Sequence, residues 1–135
     1  MDNSAQYDCG VARLWNTTNT TITIADSKFM DNSALDGGGA IRLKYITKTT
    51  MTVIDSKFKN NSARYGGAVH LWDAINTTMT ITDSKFMDNS ALDAGCAIRL
   101  KDVTRTTMTI TDSEFMHNRW SCIFVVCNQN KYDCH

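Results

Sequence analysis

The sequence predicts an all-β fold: a right-handed parallel β-helix of about four to five coils, with 28–29 residues and three short strands per coil. Three observations predict it. First, the chain repeats itself. Ser27-Lys28-Phe29-Met30-Asp31-Asn32-Ser33-Ala34 returns unchanged from Ser84 to Ala91, with a looser copy from Ser56 to Ala63 and a decayed one from Ser113 to Asn118. The leading serines recur at intervals of 29, 28 and 29 residues. A fixed period of that length marks supersecondary units that stack. Second, short Thr-rich runs alternate polar and apolar residues, the period of a strand with one buried face. Third, proline is absent and glycine gathers at one recurrent place. That pattern suits strands joined by tight corners better than helices.

Each coil can be read in order. Thr21-Ile22-Thr23-Ile24, Thr50-Met51-Thr52-Val53, Thr78-Met79-Thr80-Ile81 and Thr107-Met108-Thr109-Ile110 form the first strand. Ile22, Met51, Met79 and Met108 point inward and the threonines outward. The pairs Asp26-Ser27, Asp55-Ser56, Asp83-Ser84 and Asp112-Ser113 turn the chain, because these side chains bond to nearby backbone. A second strand carries the inward Phe29, Phe58, Phe86 and Phe115. Asn32, Asn61, Asn89 and Asn118 follow, tolerant of left-handed backbone and able to bond amide to amide along an axis. Glycine corners (Gly38-Gly39, Gly66-Gly67, Gly95-Cys96) lead into a third strand: Ile41-Arg42-Leu43-Lys44, Val69-His70-Leu71-Trp72 and Ile98-Arg99-Leu100-Lys101. Its register extends back to Ala12-Arg13-Leu14-Trp15. One coil cannot bury its inner face, but stacked coils can, pairing as parallel strands ~4.8 Å apart. Parallel crossovers favour the right-handed coil.

The alternation of Phe-x-x-Asn (Phe29/Asn32, Phe58/Asn61, Phe86/Asn89, Phe115/Asn118) with Gly-Gly-Ala-Ile/Val (Gly38 to Ile41, Gly66 to Val69) resembles the repeats of the polymorphic outer membrane protein family. The resemblance reaches to about Asn118. It implies a right-handed β-helix at or outside a cell surface, often adhesive, with no catalytic residues. The family's membrane barrel has no counterpart in this sequence.

A chain of 135 residues is one domain's worth. We divide it into β-helix repeats over 1–118 and a Cys-rich cap or interface coil over 119–135. The 14 basic and 14 acidic residues cancel, which gives no footprint for nucleic acid or an anionic membrane. No apolar run approaches the roughly 18–20 residues of a membrane span. Met1-Asp2-Asn3-Ser4-Ala5 matches Met30 to Ala34, so the chain reads as starting in mid-repeat, without a signal peptide.

Five cysteines stand at Cys9, Cys96, Cys122, Cys127 and Cys134. Cys9 lies three coils from Cys96, about 14 Å at strand spacing. A disulfide needs Cα atoms within about 7 Å. Cys9 is therefore a candidate for an intermolecular bridge or a buried thiol at a tight corner. The other four are disulfide candidates without an assigned pairing. Asn16, Asn19, Asn60 and Asn76 begin N-glycosylation sequons. With the cysteines they favour an oxidising, extracellular setting.

Three ladders are expected to face solvent. The threonines Thr21, Thr23, Thr50, Thr52, Thr78, Thr80, Thr107 and Thr109 form either an ice-binding array or simply good strand residues. Trp15, Lys44, Trp72 and Lys101, flanked by Arg13, Arg42, His70 and Arg99, could stack sugars, make a lateral contact or stand solvated. Asp26, Asp55, Asp83 and Asp112 repel one another and need solvent, nearby lysines or a structural calcium. No cofactor and no converging catalytic set is expected.

The apolar segment Trp120 to Cys127 and the uncapped first coil favour a heterologous end-to-end contact. The expected function is a non-enzymatic extracellular solenoid that assembles with itself into a filament, disulfide-linked and glycosylated. An adhesin fragment binding glycans or matrix is the alternative, and an ice-binding solenoid the second.

Overall fold

A computed structural model describes residues 4–5, 10–94, 97–119 and 123–127. The first coil holds β1 (Ser4–Ala5), β2 (Ala12–Thr18), β3 (Thr21–Ala25) and β4 (Lys28–Met30). The second holds β5 (Ser33–Ala34), β6 (Ile41–Thr47), β7 (Thr50–Ile54) and β8 (Lys57–Lys59). The third holds β9 (Ser62–Tyr65), β10 (Val69–Ile75), β11 (Thr78–Thr82) and β12 (Lys85–Met87). The fourth holds β13 (Ser90–Ala94), β14 (Ile98–Val103), β15 (Thr107–Thr111) and β16 (Glu114–Met116), and β17 (Ile123–Cys127) begins another.

Equivalent strands pair in parallel, one coil on the next, into four sheets. We call them the Ser-Ala sheet (β1-β5-β9-β13), the Leu sheet (β2-β6-β10-β14-β17), the Thr sheet (β3-β7-β11-β15) and the Phe sheet (β4-β8-β12-β16). The three strands expected per coil are present. The fourth, narrow sheet forms because Ser33, Ser62 and Ser90 continue the parallel register after the asparagine, which keeps Ala34, Ala63 and Ala91 buried. The register is direct: Leu14, Leu43, Leu71 and Leu100 align, as do Met51, Met79 and Met108.

Inside, side chains stack in columns. Leu43, Leu71, Met51, Met79, Val53, Ile81, Phe58 and Phe86 are all fully buried. Phe29, Phe58, Phe86 and Phe115 lie ring on ring, with centroids 4.7, 4.6 and 4.7 Å apart and planes within 6° of parallel. Isolated aromatic pairs prefer offset or edge-to-face geometry. Here the strand spacing sets the separation, and burial against Met and Ile holds the rings in line.

The corners rest on polar ladders. Asn61 Nδ2 donates to Asn89 Oδ1 at 3.0 Å and to the Phe29 carbonyl at 3.0 Å, while its Oδ1 accepts from Asn32 Nδ2 at 2.8 Å. Asn89 repeats the pattern toward Asn118 and Phe58. Each amide thus answers backbone groups that a buried corner would leave unmet. The left-handed residue is one place earlier than expected: Asp31, Asn60, Asp88 and His117 carry φ of 57°, 54°, 54° and 52°. The asparagine itself turns inward to bond. The serines form a parallel ladder. Ser27, Ser56 and Ser84 N–H groups donate to the Oγ of Ser56, Ser84 and Ser113. Each of these hydroxyls in turn donates to the carbonyl two residues back.

Candidate functional site

The outer face of the Leu sheet departs from expectation. Alternation does aim Arg42, Lys44, His70, Trp72, Arg99 and Lys101 away from the core. Yet Arg42, Lys44 and Arg99 are only 3–8% exposed and His70 is fully buried. The ladder read as solvent-facing is covered over much of its length. The cover is the chain between Ala34 and Ile41 and its counterpart in the next coil. Gly38 and Gly66 adopt φ of +60° and +64°, a left-handed conformation that glycine enters without steric penalty. They fold these segments back over the sheet. Gly37 lies so close that an added Cβ would stand 2.5 Å from His70 Nδ1.

Beside this cover, cations and aromatic rings alternate along the axis. Trp15, Lys44, Trp72 and Lys101 occupy one register position in successive coils. Lys44 Nζ lies 4.7 Å from the Trp15 ring and 3.8 Å from the Trp72 ring, and Lys101 Nζ lies 4.4 Å from Trp72. Arg13 adds a guanidinium 4.3 Å from Trp15, and Tyr45 meets Trp15 edge-on at 5.4 Å. Trp72 Nε1 donates to Asp102 at 3.2 Å. Both faces of Trp72 therefore carry an ammonium, which takes away the surface on which a sugar ring would stack. Trp15, 46% exposed, and Tyr45, 43% exposed, keep substantial open area.

One register place away, Arg13, Arg42, His70 and Arg99 align. Arg42 Nη1 pairs with Asp36 at 3.2 Å, Arg64 with Asp93 at 2.6 Å, and Arg99 lies 4.4 Å over the Tyr65 ring. Burial lowers the pKa of both Arg42 and Arg99. His70 falls to about 3, first through desolvation and then through the positive charge of Arg99, Arg42, Lys101 and Lys44. It is neutral at pH 7, and neither ring nitrogen has a hydrogen-bond partner among the described residues. Asp36, Tyr65, His70, Trp72, Arg99 and Lys101 line a cleft of about 260 Å³. Sequence reasoning missed Asp36 and Tyr65. Their one signal was position, since both precede a glycine corner that folds over the ladder.

The other candidate residues are distributed as follows. Thr21, Thr23, Thr50, Thr78, Thr107 and Thr109 are exposed and Thr52 and Thr80 half-buried on the outer face of the Thr sheet. Asn16, Asn19, Asn60 and Asn76 are exposed, each with left-handed backbone at a corner or kink. Asp26, Asp55, Asp83 and Asp112 are also exposed and left-handed, with φ of 46–48°. Lys85 of the neighbouring lysine row pairs with Glu114 at 3.2 Å. Among the described residues no group of three or more His, Cys, Asp or Glu side chains gathers to hold a metal. Cys9, Cys96, Cys122 and Cys134 lie outside the described residues, as does the side chain of Cys127. Among the described residues no helix is long and apolar enough to cross a membrane.

Parallel in-register coils, stacked side-chain columns and polar corner ladders together define a β-solenoid. Compared with known families, the chain matches the model of the right handed beta helix region over residues 1–135 and belongs to that family. The coil is right-handed, as parallel crossovers favour. The family includes both enzymes and non-enzymes, and its domains are often extracellular or at a surface. A comparison with curated proteins returned no match.

Proposed function

We propose that this chain is a non-enzymatic structural solenoid, working outside the cell, that stacks head to tail with copies of itself. The observation that carries the reading is the complementarity of its two ends. The Thr and Phe sheets end at β3 and β4 on one side and at β15 and β16 on the other, leaving strand edges open among the described residues. Ile22, Ile24 and Phe29 line one end, and Met108, Ile110 and Phe115 the other, all packed on the core but only partly buried. Their equivalents in the middle coils are fully buried. The serine ladder has a direction too: Ser84 N–H has an acceptor in the next coil, whereas Ser113 N–H has none among the described residues. A second copy stacked end to end would lay its β2 on β17, the two outer strands of the Leu sheet. Such a contact is heterologous and propagates into filaments. The Phe-x-x-Asn resemblance and the four exposed sequons support the extracellular setting, and a bridge from Cys9 would lock the joint.

Light scattering and electron microscopy of the full chain, with and without reductant, test this. Concentration-dependent rods, lost in Ile24→Lys and in Ile110→Lys, are expected. A monomer at millimolar concentration without reductant sinks the proposal. The adhesive alternative, built on Trp15 and Trp72, is weakened because ammonium groups occupy Trp72. The ice-binding alternative is supported by the regular exposed threonines. Sequon Asn19 and Asn76 border that face, so glycans there would obstruct it.

A further inference from the structure

One residue of the Leu sheet is in a conformation that its side chain resists. Asn16, Tyr45, Asp73 and Asp102 sit at the kink of β2, β6, β10 and β14, with φ of 55°, 56°, 54° and 53°. Asparagine and aspartate enter this left-handed region readily, whereas a bulky residue there is an outlier. Such outliers point to a function that retains them. Tyr45 shares its rung with Asn16, since Trp15 pairs with Lys44 before them and Thr17 with Ile46 after them. The kink also breaks the alternation of the strand, so that Trp15 and Asn16 are both exposed. Trp15 meets Tyr45 edge-on and Lys44 Nζ lies 4.6 Å from its ring centre, yet 43% of Tyr45 stays open to solvent.

We propose that Asn16, which opens the sequon Asn16-Thr17-Thr18, carries an N-linked glycan whose first sugar packs against Tyr45. The proposal rests on the extracellular setting proposed above. The donor is an oligosaccharide joined through a diphosphate to a lipid. Asn16 Nδ2 loses one proton and bonds to the anomeric carbon. The bond from that carbon to the diphosphate oxygen breaks, and the lipid diphosphate leaves with the electron pair. One strand spacing, ~4.8 Å, separates the two residues, within reach of a sugar on the Asn16 amide. A tyrosine suits that sugar, with an apolar body for its C–H face and a hydroxyl for its oxygens. The other sequons lie beside charged groups instead. Asn19 and Asn76 alternate with Lys48 and Arg105 in one left-handed corner column. Asn60 Nδ2 donates to Asp31 at 3.0 Å. Lying on Tyr45, the sugar covers the second coil and leaves the β2 edge free for another copy.

The test uses the full chain secreted from a eukaryotic cell line, with Asn19→Gln to separate the neighbouring sequon. Glycopeptide mass spectrometry is expected to find Asn16 occupied, and NMR to show contacts between the first sugar and the Tyr45 ring. Enzymatic release of the glycan should lower the thermal midpoint by about 4 °C, the scale of one aromatic contact in a domain of this size. Tyr45→Asp installs the residue type that the next two coils carry at this place. It should leave Asn16 occupied and abolish both the contacts and the midpoint shift, whereas Tyr45→Phe should keep them. Asn16 left unoccupied, or occupied without contact to Tyr45, overturns the proposal. The glycosylating host is imposed and no readout depends on filaments, so failure here and failure of end-to-end stacking are told apart.

Discussion

Two columns run the length of this solenoid and solve the same problem differently. Inside, Phe29, Phe58, Phe86 and Phe115 repeat one residue, and like stacks on like at 4.6–4.7 Å. Outside, Trp15, Lys44, Trp72 and Lys101 share one register and alternate. In-register stacking places equivalent side chains about one strand spacing apart, ~4.8 Å. An uncharged ring profits from its copy at that distance. A buried ammonium beside another ammonium does not: at 4 Å and an effective dielectric of 20 the repulsion approaches about 4 kcal/mol. Inserting tryptophan between lysines turns repulsion into cation–π attraction. Exact sequence repetition is therefore tolerated inside, while the column of Trp15, Lys44, Trp72 and Lys101 alternates.

The sharpest way to test this contrast is to hollow the inner column. Phe58→Ala removes a fully buried ring stacked on both sides and should lower unfolding stability by about 3–5 kcal/mol. Phe29→Ala, at the partly buried end of the column, should cost about half as much by denaturant titration. Equal losses would mean that position in the stack does not matter.

Next in size is the amide ladder. Asn61→Ala removes the donor to the Phe29 carbonyl and the oxygen that accepts from the Asn32 N–H and Nδ2. Two or more buried polar groups unmet cost roughly 2–4 kcal/mol. The protection of the Asn32 amide against hydrogen exchange should fall with it. Retained protection would show that water takes the place of the amide.

The outer face of the Leu sheet responds to pH, through His70 beside that column, where the inner column cannot. His70 has a folded pKa of about 3, well below its ordinary 6.5. Between those values the unfolded chain binds the proton and the folded chain does not. Stability is therefore full above pH 6.5 and falls as pH drops toward 3, by about 1.4 kcal/mol per pH unit once well below 6.5. His70→Phe should flatten that slope in thermal melts taken between pH 7 and 4. An unchanged slope assigns the acid sensitivity elsewhere.

The inner column was legible in the sequence because burial there depends only on period. Phe, Leu and Met recur at one register place, and alternation sends them inward. The outer column was half legible. Period gave the alignment of Trp15, Lys44, Trp72 and Lys101, and alternation gave their outward direction. It could not show that residues 35–38 double back over the neighbouring Arg42 and His70. That cover depends on the positive φ of Gly38 and on the absence of a Cβ at Gly37. A corner that merely turns and a corner that folds over a face have the same glycine-rich composition. The asparagine shows the same limit. Its type announced a left-handed corner, but that strain falls on Asp31, Asn60, Asp88 and His117 while the asparagine turns inward to bond.

The smallest effect is the most discriminating. If alternation is what lets Lys44 stay buried, Lys44 and Trp72 must be coupled. Lys44→Met keeps the packing of the stem and removes the charge. Trp72→Leu removes the ring. The double-mutant cycle should show a coupling of about 1 kcal/mol, within the range for a largely desolvated cation–π pair. Trp72→Lys tests the converse, because it sets three ammonium groups in consecutive coils. It should destabilise more than Trp72→Leu, and the excess should shrink in high salt for whatever part of the column solvent reaches. Zero coupling, with Trp72→Lys no worse than Trp72→Leu, would mean that the alternation follows from chain history rather than electrostatics.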